Sequence, residues 1–450
     1  KINKKKLIEI PSRKLAINTA IKNAKSDEIV VVAGKGHETY QEYKNKKYFS
    51  DRGCILQSIK EKNQKSNKNW KTNVVEEKLE KKLNNKTIIS KACINSKQIK
   101  KNNIFFGIKG KNIDGNKYAN IAIKNGASVS IIEKNYGKKI KNKIKVKNTL
   151  KFLTECAAKI RTSSDIIAIG ITGSAGKTSL KELLGQSLGK ICKTTYSKKS
   201  FNNKYGVPIS LFNIEKSDNF GVFEIGMDKK GEINHLSKIV KPNIGVITNI
   251  SYAHSKNFNS LFDIAKAKSE IIDNIIESGS IVLNADDKFY NYFKLKAQNR
   301  NLKIISFGRK KKSNIKLSKI TSLKNKSIIK ININGRFKNF IIKRNLEFYV
   351  ENILASVAVI SNYLDLDNVS ERFFFNHNLP QGRGDHKYIK IKKKKIHLID
   401  ESYNSNPLSL KFALNNFSKL NSQSKRKIIL LGDMLELGKF SKKLHLEAAK

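Results

Sequence analysis

The chain has 450 residues, 39% of them hydrophobic, and a formal net charge of +53. That length exceeds one ordinary core, so about two to four domains are expected. No run approaches the roughly 18 uncharged apolar residues of a membrane helix, so no membrane insertion is expected. The charge reads either as a nucleic-acid-binding surface or as compositional bias. Lysine is spread through every segment, and the aromatic residues do not interleave with the basic runs as on a base-stacking platform. Bias is the better reading, so no nucleic-acid partner is expected; a positive field still favours anionic substrates such as nucleotides. The cysteines (Cys54, Cys93, Cys156, Cys192) have neither CxxC nor metal spacing. They read as reduced thiols of a cytoplasmic protein.

The chain opens on "KINKKKLIEIPSRK", which has a basic flank but no apolar signal core. It starts with Lys1 and ends in the amphipathic "SKKLHLEAAK", so both ends read as cut from something longer. "SRKLAINTAIKNA" suggests a helix, "EIVVVAG" a buried strand, and the residues after "FSDRG" a second short helix. Residues 61–73 are polar and aperiodic, the signature of a linker. Short strands follow at "TIISKACI", "NIFFGI" and "SVSIIE", then a helix at "KFLTECAAKIRTSS". From Asp165 apolar strands alternate with helices: "IIAIGIT", "NFGVFEIGM", "NIGVITNIS", "GSIVLNADD", "KIISFG". This pattern implies a mostly parallel sheet covered on both faces. Residues 314–345 alternate instead and suggest an antiparallel excursion. A helix, "VENILASVAVISNYL", closes this unit; a further α/β unit follows, with strands at "KIHLID" and "KIILLGDM".

Gly173-Ser174-Ala175-Gly176-Lys177-Thr178-Ser179 stands between an apolar strand and a helix. Glycines let backbone N–H groups close round phosphate oxygens, and the helix N-terminus adds positive potential. In such a loop Lys177 reaches the β/γ-phosphates and Thr178 holds Mg²⁺. The loop is shorter than the usual pattern, since Gly173 and Gly176 enclose only Ser174 and Ala175. Other strand ends carry Glu224, Asn249 with His254, and Asn284 to Asp287, where open α/β sheets bind ligands. Read alone, Glu224 is more readily a solvated strand-end acid, His254 a structural histidine, and Lys266 with Lys268 a solvated basic face.

In this order the strings "ITGSAGKTS", "SFNNKYGVPISL", "FEIGMDKKGEI", "NISYAHSKNF", "AKAKSEI", "LNADD", "PQGRGDHK", "IDESYNSNPLSL" and "LLGDMLELG" cover nearly all of residues 85–447. The chain resembles the Mur ligases, the ATP-dependent amide-forming enzymes of peptidoglycan precursor synthesis. "YNSNP" with "GDMLELG" is similar to the branch that adds D-alanyl-D-alanine to UDP-N-acetylmuramoyl-tripeptide. The resemblance implies an α/β fold of three domains: a small substrate domain (74–164), a central phosphate-loop ATPase domain (165–377) and an incomplete Rossmann-like ligase domain (378–450). It implies ATP, two Mg²⁺ ions and a monomer. Gly173 to Ser179, Asn284, Asn352, Arg383 and Asp400 are implied to hold ATP. Thr178, Glu224, His254 and Lys268 are implied to hold metal, with Lys268 carbamylated and Lys177, Lys268 and His254 at the catalytic centre. Asn202, Asn203, Ser96, Tyr403, Asn404 and Asn406 fall on the substrate side. Asn95 and Lys97 replace the acid and arginine that usually flank Ser96, and "LEFYVEN" lacks the usual His-Asn pair.

Other readings are a kinase or GTPase, which shares only the phosphate loop, and folate polyglutamylation enzymes, which share the ligase core. A basic RNA-binding protein is the reading from another class. "VVVAGKGHETYQEY" has no Ser or Thr after its lysine, so it is not a triphosphate loop. With "YFSDR" it resembles the C-terminal end of the diaminopimelate-adding branch of the same family. Gly34 and Glu38 match positions that hold the incoming diacid amino acid. Residues 1–60 then read as the remnant of a second ligase fused to the first, which favours a diaminopimelate tripeptide.

Overall fold

The structure, a computed structural model, describes residues 10, 13–24, 28–33, 40–42, 46–48, 54–55, 58, 70–136, 142–310, 313–364, 366–378, 380, 382–391, 394–418 and 426–449. Two compact units divide the chain: Ile10–Ile166 with Lys204–Gly221, and Ile167–Asn203 with Val222 onward.

The first unit begins with helix α1 (Arg13–Asn23), where the sequence suggests one. Its Ile17 and Ile21 lie one turn apart and bury against Cys54. The strand expected at "EIVVVAG" is not formed: residues 28–33 are irregular, and Ile29 is 91% exposed. An apolar run becomes a strand only where a neighbour takes up its backbone groups, and among the described residues no strand pairs with this one. Further on, β1 (Tyr40–Glu42) pairs antiparallel with β2 (Lys46–Tyr48).

The expected linker is also shorter than its composition suggests. Trp70 to Asn73 open helix α2 (Trp70–Leu79), while residues 61–69 lie outside the described set. Lys71 is drawn inward there. Its Nζ donates to the Ser90 carbonyl at 2.7 Å and pairs with Glu215 at 2.9 Å. Four strands follow in the order β3 (Ala92–Cys93), β4 (Asn103–Phe106), β5 (Ala127–Glu133) and β6 (Lys143–Val146), each parallel to the next. Helix α3 (Ala119–Lys124) packs on β5. Helix α4 (Thr149–Thr162) starts where Asn148 Oδ1 accepts the Lys151 N–H, and it packs on α2 and on the helix Gly206–Phe212. Residues 204–221 therefore belong to this unit, although the sequence suggests the central domain. Phe212 meets Phe106 edge to face at 5.8 Å, and Asn213 Oδ1 accepts the Ala92 N–H at 2.8 Å.

The second unit carries a nine-stranded sheet. Its strands are β7 (Ile167–Thr172), β8 (Thr194–Tyr196), β9 (Phe220–Glu224), β10 (Ile244–Ile247), β11 (Ser280–Asn284), β12 (Lys303–Gly308), β13 (Ile315–Ser322), β14 (Lys326–Ile333) and β15 (Arg336–Lys343). They lie in the order β15-β14-β13-β12-β11-β10-β7-β9-β8. β7, β10, β11, β12 and β13 run parallel in succession, and β13, β14 and β15 pair antiparallel, as the change of periodicity suggests. Every residue of β9, β10 and β11 is buried. Such burial needs cover on both faces. Two helix pairs supply it: α5 (Lys177–Gly189) with α8 (Val350–Ile360), and α6 (Glu232–Val240) with α7 (Leu261–Asp273).

Beyond the sheet, β16 (Asp385–Ile391) pairs antiparallel with β17 (Lys394–Asp400), followed by α9 (Pro407–Ser418) and α10 (Ser441–Ala449). The strand expected at "KIILL" is irregular, with Leu430 92% exposed, again because no neighbour pairs with it among the described residues. The residues after it are anchored. Met434, Leu437 and Leu444 cluster with Tyr252, Leu410 and Phe440. No helix of the described residues is long and apolar enough to cross a membrane.

Candidate active site

The loop from β7 to α5 is set by two glycines. Gly173 has φ +145°, and a Cβ on it would overlap Thr248 Oγ1 at the end of β10. Gly176 has φ +81° and faces Asn352 of α8. The loop is laced to the strand-end segment beside it. Ser174 N–H donates to the Asn249 carbonyl and Ala175 N–H to Asn249 Oδ1, both at 2.9 Å; Thr248 Oγ1 donates to the Ala175 carbonyl at 2.7 Å. Asn249 thus acts by shaping the loop. Lys177 folds back so that Nζ donates to the Gly173 carbonyl at 2.8 Å. Burial holds its ammonium below the ordinary lysine range; Glu224 pulls it back up and Arg383 pushes it further down. Thr178 and Ser179 open the helix, both buried.

Glu224 ends β9 and is 1% exposed. Asn202 Nδ2 donates to its Oε1 at 2.8 Å, while Oε2 has no hydrogen-bond partner. A carboxylate so buried is not a solvated strand end. Lys268 is also 1% exposed, and burial, with Lys177 nearby, drives its amine well below the ordinary range. Lys266, two residues earlier on α7, is exposed and lies over the Phe262 ring at 4.6 Å. Only Lys266 fits the solvated-face reading. His254 follows β10 in a left-handed conformation, φ +56°. Its Nδ1 lies 3.2 Å from Asp228 Oδ1 and also pairs with Glu436. Burial, then Lys177, lowers the basicity of the ring.

Asn284 closes β11, and its Nδ2 donates to the Thr248 carbonyl at 3.1 Å. Asp286 and Asp287 accept backbone N–H groups of Arg309 and Ile250 at 2.7 Å each, so the carboxylates of "NADD" hold turns together. The Asn352 amide reaches the Gly176 carbonyl at 3.5 Å. Arg383 lies over the Tyr403 ring at 4.4 Å with its buried Nε unpartnered. Tyr403 OH donates to Ser200 Oγ at 2.6 Å. Asp400 is engaged locally, accepting from Ser402 N–H and Oγ at 3.0 and 2.6 Å, and these bonds lower its pKa. Asn404 and Asn203 are exposed. Asn406 caps α9, exchanging two 3.0 Å hydrogen bonds with Ser409. Ser96 is buried in the first unit, where its carbonyl accepts from Asn125. Gly34 and Glu38 lie outside the described residues.

Asp228 and Glu436 escape a reading by motif. Together with His254 they present ligand atoms within 4.8 Å of one another. Their signal is the pair of strings "GMDKKGEI" and "MLELG", which say nothing of meeting at a histidine.

A glycine loop from a strand into a helix, with a half-buried lysine at its turn and a buried carboxylate at the neighbouring strand end, defines an α/β protein of the phosphate-loop class. The Mur ligase middle domain matches residues 171–360, and the catalytic-domain model of the Mur ligase family matches residues 89–161. The UDP-N-acetylmuramoyl-tripeptide–D-alanyl-D-alanine ligase of Rickettsia prowazekii is 34% identical over 368 residues, covering 81% of this chain and 80% of that protein. The ligase of the same name from Buchnera aphidicola (subspecies Baizongia pistaciae) is 34% identical over 75% of this chain and 72% of its own. The crystal structure of MurF from Acinetobacter baumannii superposes with a TM-score of 0.73 at 26% identity, covering 84% of this chain and 82% of that one. The chain belongs to the Mur ligase family. Within it the similarities run to the MurF type.

The tightness of the loop can be measured. Gly173→Ala is expected to destabilise the protein by about 1–3 kcal/mol through backbone strain and the displaced Thr248. Gly189→Ala, where nothing lies within 4 Å of the added Cβ, serves as the control. Equal urea midpoints for the two variants contradict this packing.

Proposed function

We propose that the protein is an ATP-dependent ligase that joins D-alanyl-D-alanine to UDP-N-acetylmuramoyl-tripeptide in peptidoglycan precursor synthesis. The observation that carries this reading is the cluster of buried Glu224 and Lys268 with half-buried Lys177 at the end of a phosphate-loop sheet. It occurs in a chain whose relatives across four-fifths of its length are ligases of that name. A carboxylate does not react with an amine at neutral pH. Transfer of the γ-phosphoryl group of ATP to the tripeptide's terminal carboxylate gives an acyl phosphate. The dipeptide amine adds to its carbonyl, and the tetrahedral intermediate collapses with phosphate as leaving group and loss of the amine proton.

The chain's own groups fit the parts of that reaction. Loop N–H groups from Gly176 into the start of α5 receive the phosphates, since those of Ser174 and Ala175 are taken by Asn249. Lys177, held now by loop carbonyls, turns to the phosphoryl oxygens, and Arg383 brings the unpartnered edge of its guanidinium. Asn284 and Asn352 flank the loop from the adenosine side. Thr178, Glu224 through its free Oε2, His254 and a carbamylated Lys268 are the residues proposed to hold Mg²⁺. Bound there, the ions neutralise the migrating phosphoryl group. A lowered pKa favours the neutral amine, the form that adds to CO₂ with loss of a proton, and the resulting carbamate would make Lys268 an anion. Asn202, Asn203, Tyr403, Asn404 and Asn406 are assigned to the substrate side, with Ser96 in the 74–164 domain near the nucleotide. Residues 1–60 are proposed as the tail of a diaminopimelate-adding ligase on their motif strings alone, a reading that requires a second phosphate loop encoded upstream.

Phosphate release tests the ligase. It is expected to need ATP, the nucleotide-linked tripeptide and D-alanyl-D-alanine together. Release that ignores the dipeptide contradicts the proposal. For the carbamate, Lys268→Ala is expected to lose at least about 100-fold in turnover, with partial recovery in a short-chain carboxylate. Full activity in that variant removes the carbamate from the mechanism.

A further inference from the structure

Lys181 is fully buried one turn beyond Lys177 on α5. Its ammonium has three N–H donors, and three acceptors meet it: the Ser197 and Lys199 carbonyls at 2.6 Å each and Glu182 Oε1 at 2.8 Å. A buried ammonium is tolerated only with such full pairing. Two of the three acceptors are backbone groups of the segment between β8 and the substrate-side loop. Lys199 there has φ +48°, so the turn depends on outside support.

From that anchor the segment reaches two parts of the site. Ser200 accepts the hydroxyl of Tyr403 at 2.6 Å. Asn202 donates to Glu224 Oε1 at 2.8 Å, and its own carbonyl accepts the Gly226 N–H at 2.7 Å. Ser197 Oγ meanwhile accepts the Glu224 N–H at 3.4 Å. The phosphate-loop helix is thereby tied through Lys181 to the amide that orients the Glu224 carboxylate.

We propose that Lys181 is a positioning residue. It fixes residues 197–202 on the helix that carries Lys177, so that Asn202 holds Glu224 with its free oxygen turned to the cation. This rests on the reading of Glu224 as a cation ligand. Residues that orient a metal ligand typically change metal affinity by about 10–100-fold when lost. A cationic side chain buried solely to support the fold has no such signature.

The test uses the whole chain and Mn²⁺ as probe, with affinity measured by electron paramagnetic resonance in the presence of ADP. Lys181→Met is expected to weaken Mn²⁺ binding about tenfold, with unchanged affinity for metal-free ADP. Asn202→Ala is expected to do the same, and the double variant to be no worse than Asn202→Ala alone, because both act through one contact. If Lys181→Met does not fold, Lys181→Gln is read in its place. Wild-type Mn²⁺ affinity in the Lys181 variant, or additive losses in the double variant, overturns the proposal. Glu224→Gln separates the two readings. If it leaves Mn²⁺ binding intact, Glu224 is not a cation ligand. If it weakens binding while Lys181→Met does not, only the role of Lys181 falls.

Discussion

A half-buried lysine and a fully buried one at the end of one sheet, Lys177 and Lys268, set the terms for the rest of this molecule. Burial lowers the pKa of both Lys177 and Lys268, and Lys177 lowers that of Lys268 further. Desolvating an ammonium costs several kcal/mol unless anions answer it. Among the described residues the nearby carboxylate is Glu224, and half of that group is already taken by Asn202. The parallel strands, the glycine turns that let loop and strand ends close up, and the helices covering both faces all hold this imbalance in place. An anion such as a phosphate is the kind of ligand that answers an excess of positive charge, which is what the proposed nucleotide would bring.

The segments that approach this centre are anchored by backbone contacts. Residues 436–438 dock on 254–256: the Lys256 N–H donates to the Glu436 carbonyl at 2.9 Å, and Ser255 Oγ donates to the Leu437 carbonyl at 3.1 Å. Gly438 allows the approach, since a Cβ there would stand 2.6 Å from Lys256 Cα. Tyr403 reaches Ser200 through a side-chain contact instead, its hydroxyl donating to Ser200 Oγ. Chemistry distributed over several loops needs such couplings, because a displacement of about 1 Å is enough to cost two orders of magnitude in rate.

Much of this was legible from residue order. The phosphate loop, the succession of apolar strands and the antiparallel excursion at 314–345 are local patterns, and they stand where periodicity puts them. The failures share a cause. "EIVVVAG" and "KIILL" have the composition of strands, but a strand is a property of a pair, and partners are not written in the segment itself. Lysine was the other obstacle. In a chain this basic, Lys71, Lys181 and Lys268 look like their exposed neighbours, and Lys266 differs from Lys268 only by the face of one helix. What separates Lys268 is its burial, and what separates Lys71 and Lys181 is the carbonyls and carboxylates folded round them. The same holds for Asp228 and Glu436 at His254.

The most direct measurement is calorimetric titration of a non-hydrolysable ATP analogue with Mg²⁺ into the wild-type chain and Lys177→Met, with thermal unfolding followed in parallel. If Lys177 awaits a nucleotide's phosphates, the wild type binds saturably and gains about 2.7 kcal/mol of stability at a ligand concentration one hundred times Kd, while Lys177→Met loses both. Equal binding by the two proteins, or none by the wild type, contradicts the assignment of this site.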